Sequence, residues 1–400
     1  MSFDRRSFLQ SGASVLLPGA ALAATAPTPA IRDSSFDPWI EVSPANLRHN
    51  VAQVAARVAP RPILAVIKNN GYGLGVANVG RILEPVSAVH GFAVVKLAEA
   101  LTLREAGVRK PILLMGPFDE AALDEAVARD ITPMVYTPIG DMLERVAKRH
   151  GRTIPVHVCV DTGIGRVGVP HETAAPLIRG LALRRSLRIE GVMMTFAEDP
   201  DFDREQLSRF ETLCRSLVSE GVAIGKRHTA SSFALFQNEA AFLDMVRPGM
   251  ALFGCYSEAP FRALGVLDLR PAVSLKARVA YVKPLRAGQS AGYNRAYIAK
   301  RDVFVATLPL GHADGLPRVA TKGGRVRIGG ELYPLIATVS ASHSIVELGP
   351  EPKVAVGDVA TFFDAQDGSR PDDLAAACGS SVYDLTMHLN PLLPRRVLPT

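Results

Sequence analysis

The feature that most constrains this chain is a repeated alternation between two patterns. The run at 63–67 is apolar, rich in β-branched residues and reads as a buried strand, and further strand-like runs follow at 91–95, 111–115, 131–136, 156–160, 189–194, 226–230 and 245–247. Between them lie helical patterns such as Leu97-Ala98-Glu99-Ala100-Leu101 and Glu120-Ala121-Ala122-Leu123. Consecutive parallel strands need a crossover between them, usually a helix. Eight such units within residues 37–269 predict an α/β fold, a (β/α)8 TIM-type barrel. The alternating strand at 39–42 fits either the barrel or the domain that follows, and Ser43 with Pro44 opens a helix. From about residue 270 the pattern changes. Runs at 279–282, 303–308, 325–328, 336–339, 344–348 and 359–363 are joined by Gly or Pro turns, with no helix between most of them. Residues 270–400 therefore read as a mostly antiparallel β domain.

With 400 residues and 48% hydrophobic content, two domains of this kind can each bury a core. The net charge of +6 is spread without blocks and aromatics are only 6%, which points to small anionic ligands and away from nucleic acid. The first 23 residues, with Arg5-Arg6-Ser7-Phe8-Leu9, a mild apolar run and Ala21-Leu22-Ala23, resemble a twin-arginine signal peptide; 24–36 read as a disordered lead. No other stretch has the roughly 18 apolar residues of a membrane span, so no membrane partner is expected after cleavage. Cys159, Cys214, Cys255 and Cys378 show no metal spacing; they are either core thiols or a pair the sequence cannot identify.

A barrel carries its site where strands end. Lys68 ends the first run and enters a loop with Tyr72 and Gly71, Gly73 and Gly75; Arg166 lies in the loop after the fifth, Thr195 after the sixth, Ser232 after the seventh, and Arg247-Pro248-Gly249-Met250 close the eighth. A lysine at the rim of an apolar core loses its proton more readily, which suits a nucleophile toward a carbonyl group. The alternating glycines do not match the G-x-G-x-x-G dinucleotide spacing. Ser232 and the amides of Gly249 and Met250 stand where barrels hold phosphate. Each residue also has an ordinary alternative: a solvated lysine, a helix-capping serine, a surface ion pair for Arg247.

Ala65-Val66-Ile67-Lys68-Asn69-Asn70-Gly71-Tyr72-Gly73-Leu74-Gly75, Asp161-Thr162-Gly163-Ile164-Gly165-Arg166 and Met245-Val246-Arg247-Pro248-Gly249-Met250, taken in order, resemble signatures of the alanine racemase family. Ala291-Gly292-Tyr293-Asn294-Arg295-Ala296-Tyr297 is similar to the periplasmic broad-specificity racemases of the same fold. The resemblance implies pyridoxal 5'-phosphate carried by Lys68, with Tyr72, Ser232, Arg247, Gly249 and Met250 around it and no metal. It also implies an amino-acid substrate met by Arg166 and Ala341. Racemisation needs two bases on opposite faces of one carbon. By resemblance these are Lys68 and Tyr293, the latter reaching into a partner subunit, so a homodimer with shared sites is implied. A phenol is a poor base at neutral pH, and a permanent cation such as Arg166 beside it favours the phenolate. Arg247 facing the pyridine nitrogen, as the family implies, would donate without surrendering a proton; this favours proton exchange over elimination or transamination. The leader adds a periplasmic location, since the twin-arginine route carries folded, cofactor-loaded proteins.

The chain departs from the family pattern at several places. Cys159 stands for a lysine, Thr195 for a histidine, His312 for a tyrosine, and Ser340-Ala341-Ser342 for Cys-Met-Asp; Asn390-Pro391-Leu392-Leu393-Pro394-Arg395 lacks a tyrosine used near the phosphate. Ala341 and Ser342 remove bulk and charge, which predicts a roomier pocket than alanine requires. Two rival readings accompany the racemase: a lyase, aldolase or decarboxylase on the same barrel, and a catalytically silent binder of the cofactor or an amino acid.

Overall fold

The computed structural model describes residues 35–399, so the expected signal peptide and nearly all of the expected lead lie outside the described residues. Seven strands, Ile63–Val66, Val89–Val94, Ile112–Leu114, Ile131–Val135, Ile154–Asp161, Leu187–Met193 and Lys226–His228, run parallel in that order and curl into a barrel wall. The eighth stave is not a regular strand. Residues 245–248 bridge the two edges: Arg247 N donates to Ala230 O at 2.8 Å on one side, while Leu64 N donates to Val246 O and Val66 N to Pro248 O, both at 2.9 Å, on the other. Pro248 has no N–H, which limits this segment's own ladder while leaving its carbonyl to accept.

The outer helices are explained locally. Ser43 caps Pro44–Val58 by accepting from Asn46 N at 3.2 Å, with Pro44 in the first turn where its missing N–H costs nothing. That helix buries Leu47, Val51, Val54 and Val58 along one face. It also buries Asn50, whose amide donates to the carbonyls of Leu252 and Arg270 and accepts from Arg270 N, so no polar atom is orphaned. Gly140–His150 ends on Lys148, Arg149, His150 and a left-handed Gly151, a cationic and permissive close for the helix dipole.

The second sheet has nine strands in the order Tyr281–Leu285, Val303–Leu308, Ser344–Gly349, Glu331–Ile336, Arg325–Ile328, Val359–Phe363, Val273–Arg278, Trp39–Val42 and Arg395–Val397. Trp39–Val42 pairs antiparallel with Val273–Arg278 and parallel with Arg395–Val397, so the open assignment of this strand resolves to the C-terminal sheet. Val273–Arg278 alternates buried and half-buried residues, as a sheet with one covered face must. The strand expected at 336–339 ends instead at Ile336, because Ala337 turns into left-handed backbone, φ 61°. Two short helices, Pro371–Cys378 and Val382–Met387, interrupt the β pattern and were not foreseen. All four cysteines are free and buried, which settles them as core thiols. Among the described residues no helix is long and apolar enough to cross a membrane.

Candidate active site

The strand Ile63–Val66 delivers Lys68 into a left-handed turn. Asn69, Asn70, Gly71 and Tyr72 have φ of 54°, 55°, 62° and 51°, followed by Gly73 and Gly75 at 87° and 92°. Such backbone costs about 1–2 kcal/mol per ordinary residue, and Asn and Gly bear it best, which accounts for the Asn-Asn-Gly choice. The turn is tied down from outside. Buried Glu99 accepts from Asn70 N at 2.9 Å, Lys96 N at 3.2 Å and Val95 N at 3.3 Å, joining the lysine loop to the start of the next helix. Asn70 Oδ1 accepts from Val76 N at 3.0 Å. Burial, then the nearby Arg166 cation, lowers the Lys68 pKa, with Glu99 opposing.

Lys68 lines a cavity of about 350 Å³ with Tyr72, Arg166, Ser232, Arg247 and Tyr383. This is the volume range of small-ligand and cofactor sites. The buried Tyr72 ring stacks on Phe253 with centroids 4.5 Å apart, and burial raises its phenol pKa well above the ordinary value. Gly249 is required here: a Cβ on it would lie 2.2 Å from the Tyr72 hydroxyl oxygen. Ser232 Oγ accepts from Gly249 N at 3.0 Å and Ala251 N at 3.1 Å. The Gly249 amide, expected as a donor to a ligand, is thus directed at Ser232, whose own O–H is left to donate; Met250 opens the 3-10 turn Met250–Phe253 at the same place.

Arg247 is 6% exposed. Its guanidinium donates to Met194 O at 2.7 Å, to His228 O, and to His228 Nδ1 at 3.0 Å. These acceptors are neutral, so the cation is held without a carboxylate partner; burial lowers its pKa to about 10, which leaves it charged at neutral pH. The surface ion pair considered for it is excluded by this burial. Arg166 is exposed at the cavity mouth, in a loop shaped by Asp161, whose carboxylate accepts from Gly163 N at 2.8 Å and Gly165 N at 3.1 Å. Among the described residues it has no ion-pair partner. Cys159 does not stand in for a charged lysine. It is buried with its thiol pushed up to about 11, and Sγ reaches Val167 O at 3.5 Å, next to Arg166.

The donor set fits pyridoxal phosphate: a depressed lysine for its aldehyde, a buried cation for its ring nitrogen, a stacked tyrosine, and a free serine O–H for its phosphate. Tyr293 and Ala341 are not in this cavity. Tyr293 is 71% exposed on a turn set by Gly292, φ 75°, and Ala341 lies in an exposed loop where its carbonyl accepts from Ala313 N at 2.9 Å; His312 opens the adjoining 3-10 turn His312–Asp314, its N donating to Ser340 O at 2.9 Å.

Several lining residues escaped sequence reasoning. Tyr383, from the helix Val382–Met387, enters the cavity with its ring centroid 6.4 Å from that of Tyr72, and burial pushes its pKa to about 12. Glu198 lines the cavity from left-handed backbone, φ 65°; burial, then Asp203 and Glu258, raises its pKa. Gln206 bridges Thr162 Oγ1, Thr195 O and Ala197 N beneath the cavity floor. Glu99, which anchors the lysine loop from outside the cavity lining, had a signal, since it falls within the helical pattern Leu97-Ala98-Glu99-Ala100-Leu101. Tyr383 had none, because nothing near it in sequence is catalytic.

The N-terminal domain model of alanine racemase matches residues 42–257, and the C-terminal domain model of alanine racemase matches 272–397. Alanine racemase of Desulforamulus reducens is 32% identical over 364 residues, covering 89% of this chain and 98% of the relative. Alanine racemase 2 of Caldanaerobacter subterraneus subsp. tengcongensis is 32% identical over 365 residues, covering 89% and 93%. The crystal structure of alanine racemase from D-cycloserine-producing Streptomyces lavendulae superposes with a TM-score of 0.85 at 28% identity, covering 92% of this chain and 98% of that one. Biosynthetic alanine racemase from Pseudomonas aeruginosa gives 0.81 at 28% identity, covering 91% and 100%.

Proposed function

The chain belongs to the alanine racemase family, an isomerase family dependent on pyridoxal phosphate, and from that premise we propose a two-base racemase of broad amino-acid range acting in the periplasm as a homodimer. The observation that carries this reading is the convergence of Lys68, Arg166 and a carboxylate-free Arg247 on one cavity at the ends of the barrel strands.

The cofactor supplies an electrophilic carbonyl and an electron sink that acidify the substrate's Cα–H bond. The residues divide the remaining work. Lys68 Nζ, with its lowered pKa, takes or returns the proton on one face of Cα. Tyr293 of the partner subunit serves the other face, a role that suits its 71% exposure and its place outside the lining of the chain's own cavity. Arg166 binds the substrate carboxylate and favours the phenolate by its permanent charge. Ser232 O–H and the Met250 amide would hold the cofactor's phosphate with neutral donors. Arg247 would hold the cofactor's ring nitrogen as a donor that does not release its proton, and such a partner would favour proton exchange over carbon–carbon cleavage or amino transfer. That same property argues against the lyase reading.

The breadth of range rests on Ala341 and Ser342, which remove bulk and charge at positions the family resemblance sets beside the substrate. The location rests on the twin-arginine resemblance of the first 23 residues. The test is incubation of the mature protein with pyridoxal phosphate and a panel of L-amino acids in deuterated water, following α-proton loss and chirality. Exchange with inversion, abolished in Lys68→Ala and Tyr293→Phe, is the expected result. Exchange without inversion removes the two-base mechanism, and strict use of alanine removes the broad range.

A further inference from the structure

Behind Arg247 the barrel interior is polar where such barrels are ordinarily packed with branched apolar side chains. His228, on Lys226–His228, and His157, on Ile154–Asp161, meet with Nε2 of the first 2.8 Å from Nδ1 of the second and ring centroids 4.9 Å apart, edge to face. Gly191 leaves room for the contact: a Cβ there would lie 2.7 Å from His157 Nδ1 and 2.8 Å from His228 Nε2.

The direction of every hydrogen bond in this row follows from one fact. A guanidinium has donors and no acceptor, so His228 Nδ1, 3.0 Å from Arg247 Nη1, must present its lone pair. A neutral His228 then carries its proton on Nε2 and donates it to His157 Nδ1, and a neutral His157 carries its proton on Nε2. Burial and the Arg247 charge hold both rings neutral, His157 with a pKa lowered to about 3. His157 also lines a chamber of about 460 Å³ at the N-terminal mouth of the barrel, with His90, Thr132, Glu190 and Lys226. Its Nε2 has no hydrogen-bond partner among the described residues, so the last N–H of the row is left to solvent entering from the end opposite Lys68.

We propose that His157 is a positioning residue for Arg247: by accepting from His228 Nε2–H it fixes the tautomer that lets His228 accept from the guanidinium, and so holds that cation as a pure donor toward the cofactor. The inference rests on the racemase reading for Arg247's role. With His228 flipped to Nδ1–H, two N–H groups would face each other, and the guanidinium would have to turn away or His228 lose the contact.

Two measurements decide it. In the wild-type protein labelled with 15N-histidine, two-bond 1H–15N correlations at neutral pH should show two neutral Nε2–H rings whose signals are lost or shifted in His157→Gln and His228→Asn. An Nδ1–H tautomer at His228, or a charged His157, overturns the proposal. In the loaded enzyme, His157→Leu should shift the pH dependence of the cofactor's absorption and lower kcat about tenfold with KM changed less than about twofold, the loss expected for one buried hydrogen bond acting through a network. His157→Gln, whose amide oxygen can accept from His228, should restore both. A wild-type spectrum and kcat in His157→Leu overturns the proposal, as does an equal loss in His157→Gln, which would mean packing alone. A wild-type protein that shows the tautomer pair yet racemises nothing removes the functional reading and leaves the histidine assignment standing.

Discussion

Gly249 and the Tyr72 hydroxyl occupy adjoining space so tightly that a methyl group on the glycine would stand 2.2 Å from the oxygen. Tyr72 cannot yield easily, since its ring is buried and stacked on Phe253. Gly249→Ala should therefore displace the phenol and the Ser232 cradle together. A loss of about 1–3 kcal/mol in stability is expected from overpacking. Pyridoxal phosphate affinity, followed by absorption titration of the apoprotein, should weaken at least about tenfold. Unchanged affinity would show that Tyr72 does not bound the cofactor site.

Glu99 holds three backbone amides around the lysine loop. Glu99→Ala leaves these donors without their acceptor where water reaches poorly, at a cost of roughly 3 kcal/mol. Urea unfolding should register that loss. Chemical modification of Lys68 in the apoprotein should become faster, because Glu99 opposes the fall in the lysine's pKa. A stability change below about 0.5 kcal/mol, the range of ordinary surface substitutions, would sink the idea that this carboxylate anchors the left-handed turn.

Arg247→Glu exchanges a pure donor for a carboxylate that can stabilise a protonated ring nitrogen. Racemisation should fall by about a hundredfold, as when one preorganised donor is removed from a site. Formation of 2-oxo acid from the substrate, its amino group passing to the cofactor, should rise in proportion to turnover. The ratio of the two products is the diagnostic quantity, and a fall in both alike would point to simple misfolding around the buried position.

The histidine row also sets an acid limit on stability. His157 has a folded pKa of about 3 against an ordinary 6.5, and burial and the Arg247 charge lower His228 well below its ordinary value too. Between those values the unfolded chain binds more protons than the folded one, so stability is full above about pH 6.5 and is lost as pH falls toward 3. Urea midpoints measured from pH 7.5 down to 4 should decline, and His157→Gln should decline less steeply. Parallel slopes in the two proteins would rule out His157 as a contributor.

Much of the barrel was legible because most buried parallel strands leave short apolar runs that alternate with helical patterns, and the eight expected runs coincide with staves of the wall, although the charged seventh, 226–230, is carried by the alternation and not by its own apolarity. The eighth differed in kind: hydrogen bonds from two neighbouring strands make 245–248 a stave, and such bonds leave no periodicity to read. Trp39–Val42 looked like any short strand, and only its pairing with Val273–Arg278 and Arg395–Val397 assigns it to the distant sheet. Lys68, Tyr72, Arg166, Ser232 and Arg247 were found because they sit at strand ends within distinctive local motifs, and they do line one cavity. Tyr383, Glu198 and Gln206 were missed because each reaches the site by packing across the fold.

The sequence alone determined the alternation of strands and helices through the barrel and the identity of the lysine loop, since these depend on residues within a few positions of each other. The tertiary structure decided how the loop is held by Glu99, where Ser232 directs its oxygen, and which way the hydrogen bonds run from Arg247 through His228 to His157. Those depend on distances between groups far apart in the chain. Hydrogen bonding falls off steeply beyond about 3.5 Å, so only the closed barrel can set them.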